Sequence, residues 1–197
     1  MSSKIAVENK VILDLCGGTG AWSRPYKEAG YDVRLVTLPD QDVRLYQPPD
    51  NVYGILAAPP CTMFAASGAR WKRTETQILE ALSIVDACLR IITIYKPVFW
   101  ALENPVGKLI HYLGKPVMYF QPYEYGDPYT KKTCLWGNFN KPIKNPVESQ
   151  CESLSGHSKP ARRFPSKMHL LPPSANRQVL RSITPPGFAK AFFEANK

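Results

Sequence analysis

The hydrophobic residues of this chain fall into two alternating patterns, short apolar runs and longer stretches with helical spacing. The apolar runs stop at glycine, proline or polar residues and predict strands at 11–15, 32–37, 52–57 and 99–102. The helical spacing predicts helices at 21–29, 75–95 and 188–196. Strands that alternate with helices favour an α/β fold with a mostly parallel sheet flanked by helices.

The chain has 197 residues, which suits a single domain. After about residue 136 the composition changes, and 139–182 is rich in Pro, Asn, Ser, Lys and Arg. This segment is predicted to be a largely irregular excursion from the domain. In open α/β sheets, ligands bind at the carboxyl ends of the strands, so candidate functional residues are sought there.

Charge and cysteine content narrow the function classes. Lys and Arg total 25 against 16 acidic residues, a net charge of +9, which fits a nucleic-acid partner or simply a basic protein. No apolar run approaches the roughly 20 residues that a transmembrane helix needs. Five cysteines and a polar beginning without a signal-peptide pattern predict reduced thiols and a cytoplasmic location, with no membrane partner.

Three motifs stand where predicted strands end. The first runs from Asp14 to Gly20, and its glycines let the backbone approach a ligand closely. The second places Cys61 directly after two prolines that stiffen the chain, which favours a nucleophilic thiol over a core cysteine. The third is Glu103-Asn104-Pro105, whose carboxyl group can transfer a proton, although Asn-Pro also starts ordinary turns.

Taken together and in this order, the three motifs resemble those of the cytosine-C5 DNA methyltransferases. The similarity extends over roughly residues 11–137, with a Tyr-Gly-x-Pro segment at Tyr125 to Pro128. It implies a Rossmann-like fold with a seven-stranded sheet and S-adenosylmethionine as the methyl donor. It also implies that Cys61 adds to C6 of a flipped-out cytosine while Glu103 contacts N3.

The resemblance assigns further residues. Those implied to bind the cofactor are Asp14, Cys16, Gly17, Gly18, Gly20, Trp22, Asp42 and Pro59. The family's Arg-rich element falls near Lys131 and Lys132, which are expected to contact phosphates together with Arg162 and Arg163. The family's target-recognition domain is here reduced to about 139–182, which points to slight sequence discrimination, or to a homodimer or accessory partner that supplies recognition.

Two alternative functions stay open at this point, and a metal site has also to be weighed. An RNA cytosine methyltransferase would need less of a recognition region. A non-catalytic nucleic-acid-binding protein on the same fold would explain why Leu38 replaces the family's ribose-binding acid. A zinc site could use Cys134, Cys151, His157 and His169. No C-x-x-C or H-x-x-x-H pair is present, so no metal is expected.

Overall fold

The computed structural model describes residues 10–68, 70–147, 164–166, 172, 174 and 176–197. Within these residues the strands are β1 (Val11–Leu15), β2 (Asp32–Val36), β3 (Val52–Ala57), β4 (Phe99–Pro105), β5 (Met118–Phe120) and β6 (Thr133–Asn138). The helices are α1 (Arg24–Glu28), α2 (Glu75–Tyr95), α3 (Ile110–Leu113), α4 (Arg177–Ser182) and α5 (Pro186–Ala195). The chain is therefore α/β, as its pattern predicts.

The strands form one mixed sheet in the order β2-β1-β3-β4-β6-β5. Strand β6 runs antiparallel to both of its neighbours, and the other five strands point the same way. The predicted seventh strand is absent from the described residues. The connection between β2 and β3 turns repeatedly and contains Pro48 and Pro49, which have no N–H to donate, and in the described residues it adds no strand beside β2.

Both faces of the sheet are buried. Strand β1 is buried at all five positions, and its alternate side chains enter two cores, which is typical of a central parallel strand. One core packs Leu13 and Ile55 against helix α2, and the other packs Ile12 and Leu56 against α1 and α5. An aromatic cluster that includes Trp22 fills the second core. Two helical layers thus hold the sheet and fix the positions of its strand ends.

The long helix α2 has the predicted boundaries because its ends carry local signals. Thr74 forms a capping box with Gln77, in which each side chain accepts a hydrogen bond from the other residue's backbone N–H. The helix ends at Tyr95 and is followed by Lys96, which is in a left-handed conformation directly before Pro97. By contrast, the predicted helix over 21–29 shrinks to Arg24–Glu28, since a run of turns precedes Pro25 at its start.

The second half of the chain departs most from the prediction. Strand β4 continues through Glu103 to Pro105, whereas the apolar pattern ends it at Leu102. The extension arises because β4 loses its parallel neighbour after Leu102 but stays paired with the antiparallel β6, which the pattern does not reveal. Helix α4 lies inside the segment that was predicted to be largely irregular. In the described part of the chain, no helix is long and apolar enough to cross a membrane.

Candidate active site

The three motifs meet at one edge of the sheet because their strands are neighbours. The glycine-rich loop follows β1, Cys61 follows β3, and Glu103 lies near the end of β4, in the spatial order β1-β3-β4. The strand ends are also tied directly, since the Ala58 N–H donates to the Leu15 carbonyl over 2.9 Å. The fold thus brings together residues that are up to about 90 positions apart in sequence.

The loop after β1 needs its glycines for two different reasons. Gly18 and Gly20 have φ values of 55° and 67°, in the left-handed region that favours glycine. Gly17 is needed for space, because a Cβ there would lie 2.3 Å from the carboxyl group of Asp14. On its outer side the loop is open. A Cβ at Gly18 would find only the Ser182 Oγ, at 4.0 Å, so no other described atom lies within 4 Å on this side.

Asp14 lies beneath this loop and is fully buried. Its Oδ2 accepts a hydrogen bond of 2.5 Å from the Ser23 hydroxyl, and its Oδ1 has no partner among the described residues. Burial raises the pKa of Asp14 to about 6, while the contacts with Ser23 lower it. The carboxyl group therefore supports the loop from below, on the side away from the open outer surface.

Two other residues expected to bind the cofactor also point into the protein. Trp22 is only 2% exposed, and its ring lies 5.4 Å from that of Phe192 in the core. Cys16 has a φ of 58° and packs against the α2 core, where its thiol is a hydrogen-bond partner of Cys88. Pro59 is buried at the end of β3. The side chains of Trp22 and Cys16 thus have structural contacts, which leaves the loop backbone for a ligand.

Asp42, the residue expected to contact adenine, is held by an arginine. Both of its carboxylate oxygens accept hydrogen bonds from Arg44, which also pairs with Glu80 on α2. These hydrogen bonds lower the pKa of Asp42. The carboxylate is therefore ionised and fixed in orientation, and its contact with a cofactor stays a prediction.

The loop that carries Cys61 is fixed by neighbouring backbone. The Cys61 carbonyl accepts hydrogen bonds from the N–H groups of Phe64 and Ala65, at 2.9 and 2.8 Å. Ala65 forms an antiparallel bridge with Gly107, which must be glycine since a Cβ there would lie 2.0 Å from the Phe64 carbonyl oxygen. This bridge joins the Cys61 loop to the chain just after β4.

Asn104 makes a second link between the two motifs. Its side-chain amide donates a 3.0 Å hydrogen bond to the Pro59 carbonyl oxygen. Asn104 is buried, so this bond forms away from solvent, where it is strong. The Asn of the Glu-Asn-Pro motif therefore holds the Pro59-Pro60-Cys61 turn in register with Glu103.

Glu103 is part of the electrostatic environment of Cys61. Burial raises the pKa of Glu103, which the positive charge of Lys131 counteracts. Burial and then the nearby Glu103 raise the pKa of Cys61, while Lys131 and Arg181 lower it. The Oε2 atom of Glu103 is buried without a hydrogen-bond partner in the described chain. This oxygen is therefore left without a hydrogen bond from the described protein.

Two cations complete the site, and the sequence motifs identify neither in this role. Lys131 precedes β6, and its ammonium group donates to the Ile183 carbonyl oxygen over 3.1 Å. Arg181 on α4 donates to the Ser67 hydroxyl over 3.2 Å, next to the Cys61 loop. The side chains of Lys131, Trp22, Thr133 and Thr184, among others, surround Glu103 without leaving room for a water molecule. Arg181 has no signal in the spacing, since 114 positions separate it from Ser67.

The other residues expected to contact nucleic acid are less informative. Lys132 is exposed and its ammonium group lies 5.1 Å from the centre of the Tyr119 ring. Arg162 and Arg163 lie outside the described residues, as do Cys151, His157 and His169 of the weighed zinc site. Within the residues that the structure describes, no group of three or more His, Cys, Asp or Glu side chains is arranged to hold a metal ion.

The α/β sheet flanked by helices, with these residues at its edge, is compatible with a methyltransferase fold. No family model matches the chain. The chain is 29% identical over 122 residues to the type II methyltransferase M.DdeI of Desulfomicrobium norvegicum, a match that covers 50% of this chain and 28% of that protein. The chain thus matches little more than a quarter of the relative's length, and the similarity supports a relationship to methyltransferases.

Proposed function

We propose that this chain is an S-adenosylmethionine-dependent DNA cytosine-C5 methyltransferase whose nucleophile is Cys61. The observation that carries the proposal is that Cys61 and the buried Glu103 lie at the ends of adjacent strands, close enough for Glu103 to raise the pKa of Cys61. The similarity to a type II methyltransferase and the net charge of +9 support the reaction class and a nucleic-acid substrate.

The chemistry of cytosine explains why both groups are needed. C5 of cytosine is a poor nucleophile until a thiolate adds to C6 and a proton reaches N3. In the proposed reaction, the thiol proton leaves to solvent, the Cys61 sulfur bonds to C6, and Glu103 gives its proton to N3. The resulting enamine takes a methyl group at C5, the C5 proton leaves to a base, and Cys61 is expelled as Glu103 recovers its proton.

The electrostatics fit these two roles. A carboxyl group with a raised pKa keeps its proton closer to neutral pH, as a proton donor requires. The thiol has the opposite need, because only the thiolate attacks. Lys131 and Arg181 lower the pKa of Cys61 and offset part of the effect of burial. The proposed role of Lys131 is thus in the active site, rather than at a distant phosphate.

The residues after β1 fit the cofactor. S-adenosylmethionine, when bound, supplies the electrophilic methyl group. The backbone at Gly17, Gly18 and Gly20 would hold it on the open side of the loop, near Pro59, and Asp42 would contact its adenine. The loop conformation would be supported from the protein interior by Asp14, Cys16 and Trp22.

The proposal is tested with nucleic acid that contains 5-fluorocytosine, because fluorine at C5 blocks the final loss of a proton. Wild-type protein with S-adenosylmethionine should form a denaturation-resistant adduct with duplex DNA, and Cys61→Ser should form none. Cys88→Ala removes a different buried thiol and serves as the matched control, which should retain the adduct. An adduct with Cys61→Ser would exclude this nucleophile, and an adduct only with RNA would assign the activity to RNA.

A further inference from the structure

The side chain of Trp71 is exposed to an unusual extent. It is 65% exposed, whereas Trp22 and Trp136 are buried and Trp100 is partly buried. Leaving a large indole ring in water sacrifices the free energy that its burial would provide. Because tryptophan is enriched at interfaces, the exposed ring is a candidate contact surface for a partner.

The residues around Trp71 restrict the chemistry of that partner. Arg70 and Lys72 are exposed on either side, and the Arg70 guanidinium lies 5.2 Å from the centre of the indole ring. None of the acidic residues that the structure describes forms an ion pair with either cation. Two unpaired cations beside an exposed aromatic ring complement a partner that carries both phosphates and flat rings.

The position of Trp71 is fixed relative to the Cys61 loop. The backbone N–H of Trp71 donates a hydrogen bond of 3.1 Å to the Gly68 carbonyl oxygen. Its own carbonyl oxygen accepts a hydrogen bond of 3.0 Å from Arg73, whose guanidinium also donates to the Thr62 carbonyl oxygen over 2.9 Å. Arg73 therefore ties Trp71 to the residue that follows Cys61.

Another aromatic ring in a basic stretch of the sequence behaves differently. Phe164 follows Arg162 and Arg163, but its ring stacks on that of Tyr123 at a centroid distance of 5.1 Å. Its contact is thus made within the protein. The indole of Trp71 is 65% exposed and presents its surface to solvent.

We propose that Trp71 stacks on an unpaired nucleobase of single-stranded nucleic acid, with Arg70 and Lys72 contacting the phosphates on either side of that base. Stacking on an aromatic ring is open to any base, because every base has a π-face. The proposal deepens the proposed function, since it would hold the strand next to Cys61, but binding itself requires no methyl transfer.

The test measures binding without the reaction. A fluorescently labelled single-stranded oligonucleotide without cytosine is titrated with the full chain, in the absence of S-adenosylmethionine, and followed by anisotropy. Trp71→Ala should weaken binding about tenfold, and Trp71→Phe should weaken it less because a ring remains. The matched control is Leu45→Ala, which removes another highly exposed apolar side chain and should leave the affinity unchanged.

The charged partners are tested through salt dependence. Removing Arg70 and Lys72 together should lower the slope of log affinity against log salt by about 1.4, since each phosphate contact with a single strand adds about 0.7. Lys27→Ala serves as the control. Lys27 lies near the start of β2, whereas Cys61 lies beyond the carboxyl ends of the parallel strands.

Three results would overturn the proposal: an unchanged affinity in Trp71→Ala, an equal loss in Trp71→Phe, or tighter binding of a duplex of the same sequence with the same loss in Trp71→Ala. Failure of the proposed function would show separately. A chain that binds the oligonucleotide through Trp71 but forms no adduct with 5-fluorocytosine would retain this inference and lose the methyltransferase proposal.

Discussion

Asp14 on β1 and Glu103 on β4 are both buried carboxyl groups whose pKa values are raised mainly by desolvation. Their surroundings differ. Asp14 is packed under Gly17 and accepts a short hydrogen bond from Ser23, so its carboxyl group belongs to the support of the loop. Glu103 has a buried oxygen without a partner among the described residues and lies near Lys131 and Cys61. A raised pKa alone thus does not distinguish a structural carboxyl group from a reactive one.

The largest expected effect separates these two carboxyl groups by activity. Glu103→Gln keeps the size and shape of the side chain but removes the proton donor. We expect kcat for cytosine methylation to fall by about 10²–10⁴-fold, the usual range for a positioned acid. Incorporation of a labelled methyl group into DNA measures this rate. A near wild-type rate would make Glu103 a second structural carboxyl group, like Asp14.

Asp14→Asn should instead change how stability depends on pH. The pKa of Asp14 is about 6 in the folded protein, above its ordinary value of 3.8, so the folded state binds this proton more tightly. The resulting stabilisation of about 3 kcal/mol is present below pH 4 and is lost as the pH rises through 6. Asp14→Asn removes this dependence.

Urea denaturation from pH 4.5 to 7.5 measures the effect, as the difference in free energy of unfolding between Asp14→Asn and wild type. The variant should gain stability relative to wild type as the pH rises. Asp32→Asn, an exchange at a more exposed carboxylate, is the control for general effects of charge. A difference that stays constant over this range would mean that Asp14 titrates normally.

Gly17→Ala tests the packing of the loop on Asp14. The added Cβ would lie 2.3 Å from the carboxyl carbon, so either the loop or Asp14 must move. We expect a loss of about 1–3 kcal/mol in the free energy of unfolding, the usual cost of overpacking. Thermal or urea denaturation measures it. The double variant Asp14→Ala/Gly17→Ala should lose less than the sum of the two single exchanges, and full additivity would contradict the contact.

The smallest expected effect concerns Arg181. The positive charge of Arg181 lowers the pKa of Cys61, so Arg181→Gln should raise that pKa. In a plot of kcat/KM against pH, the acidic limb should therefore shift to higher pH. At neutral pH, we expect the rate to fall only a few-fold, because Lys131 remains. Ser67→Ala removes the hydrogen-bond partner of Arg181 but not its charge, so it should leave the limb in place. A limb that does not move in Arg181→Gln would restrict Arg181 to a structural role.

The sequence by itself determined the elements whose signals are local. Strands β1 and β3 and helix α2 have the predicted boundaries. Glycine and proline stop the two strands within a few residues, and a capping box starts the helix. The order of the three motifs can also be determined from the sequence alone. Since ligands of open α/β sheets bind at the carboxyl ends of the strands, the sequence also predicted that the candidate site with Cys61 and Glu103 lies there.

Only the tertiary structure decided the features that depend on distant parts of the chain. Strand β4 continues past Leu102 because β6 pairs with it, a partner about 30 residues away. Lys131, which precedes β6, and Arg181 on α4 both lower the pKa of Cys61, and the side chains of Asp14 and Trp22 are buried in the protein. Local patterns specify where strands begin and end, whereas the contacts of a side chain depend on the elements that pack around it.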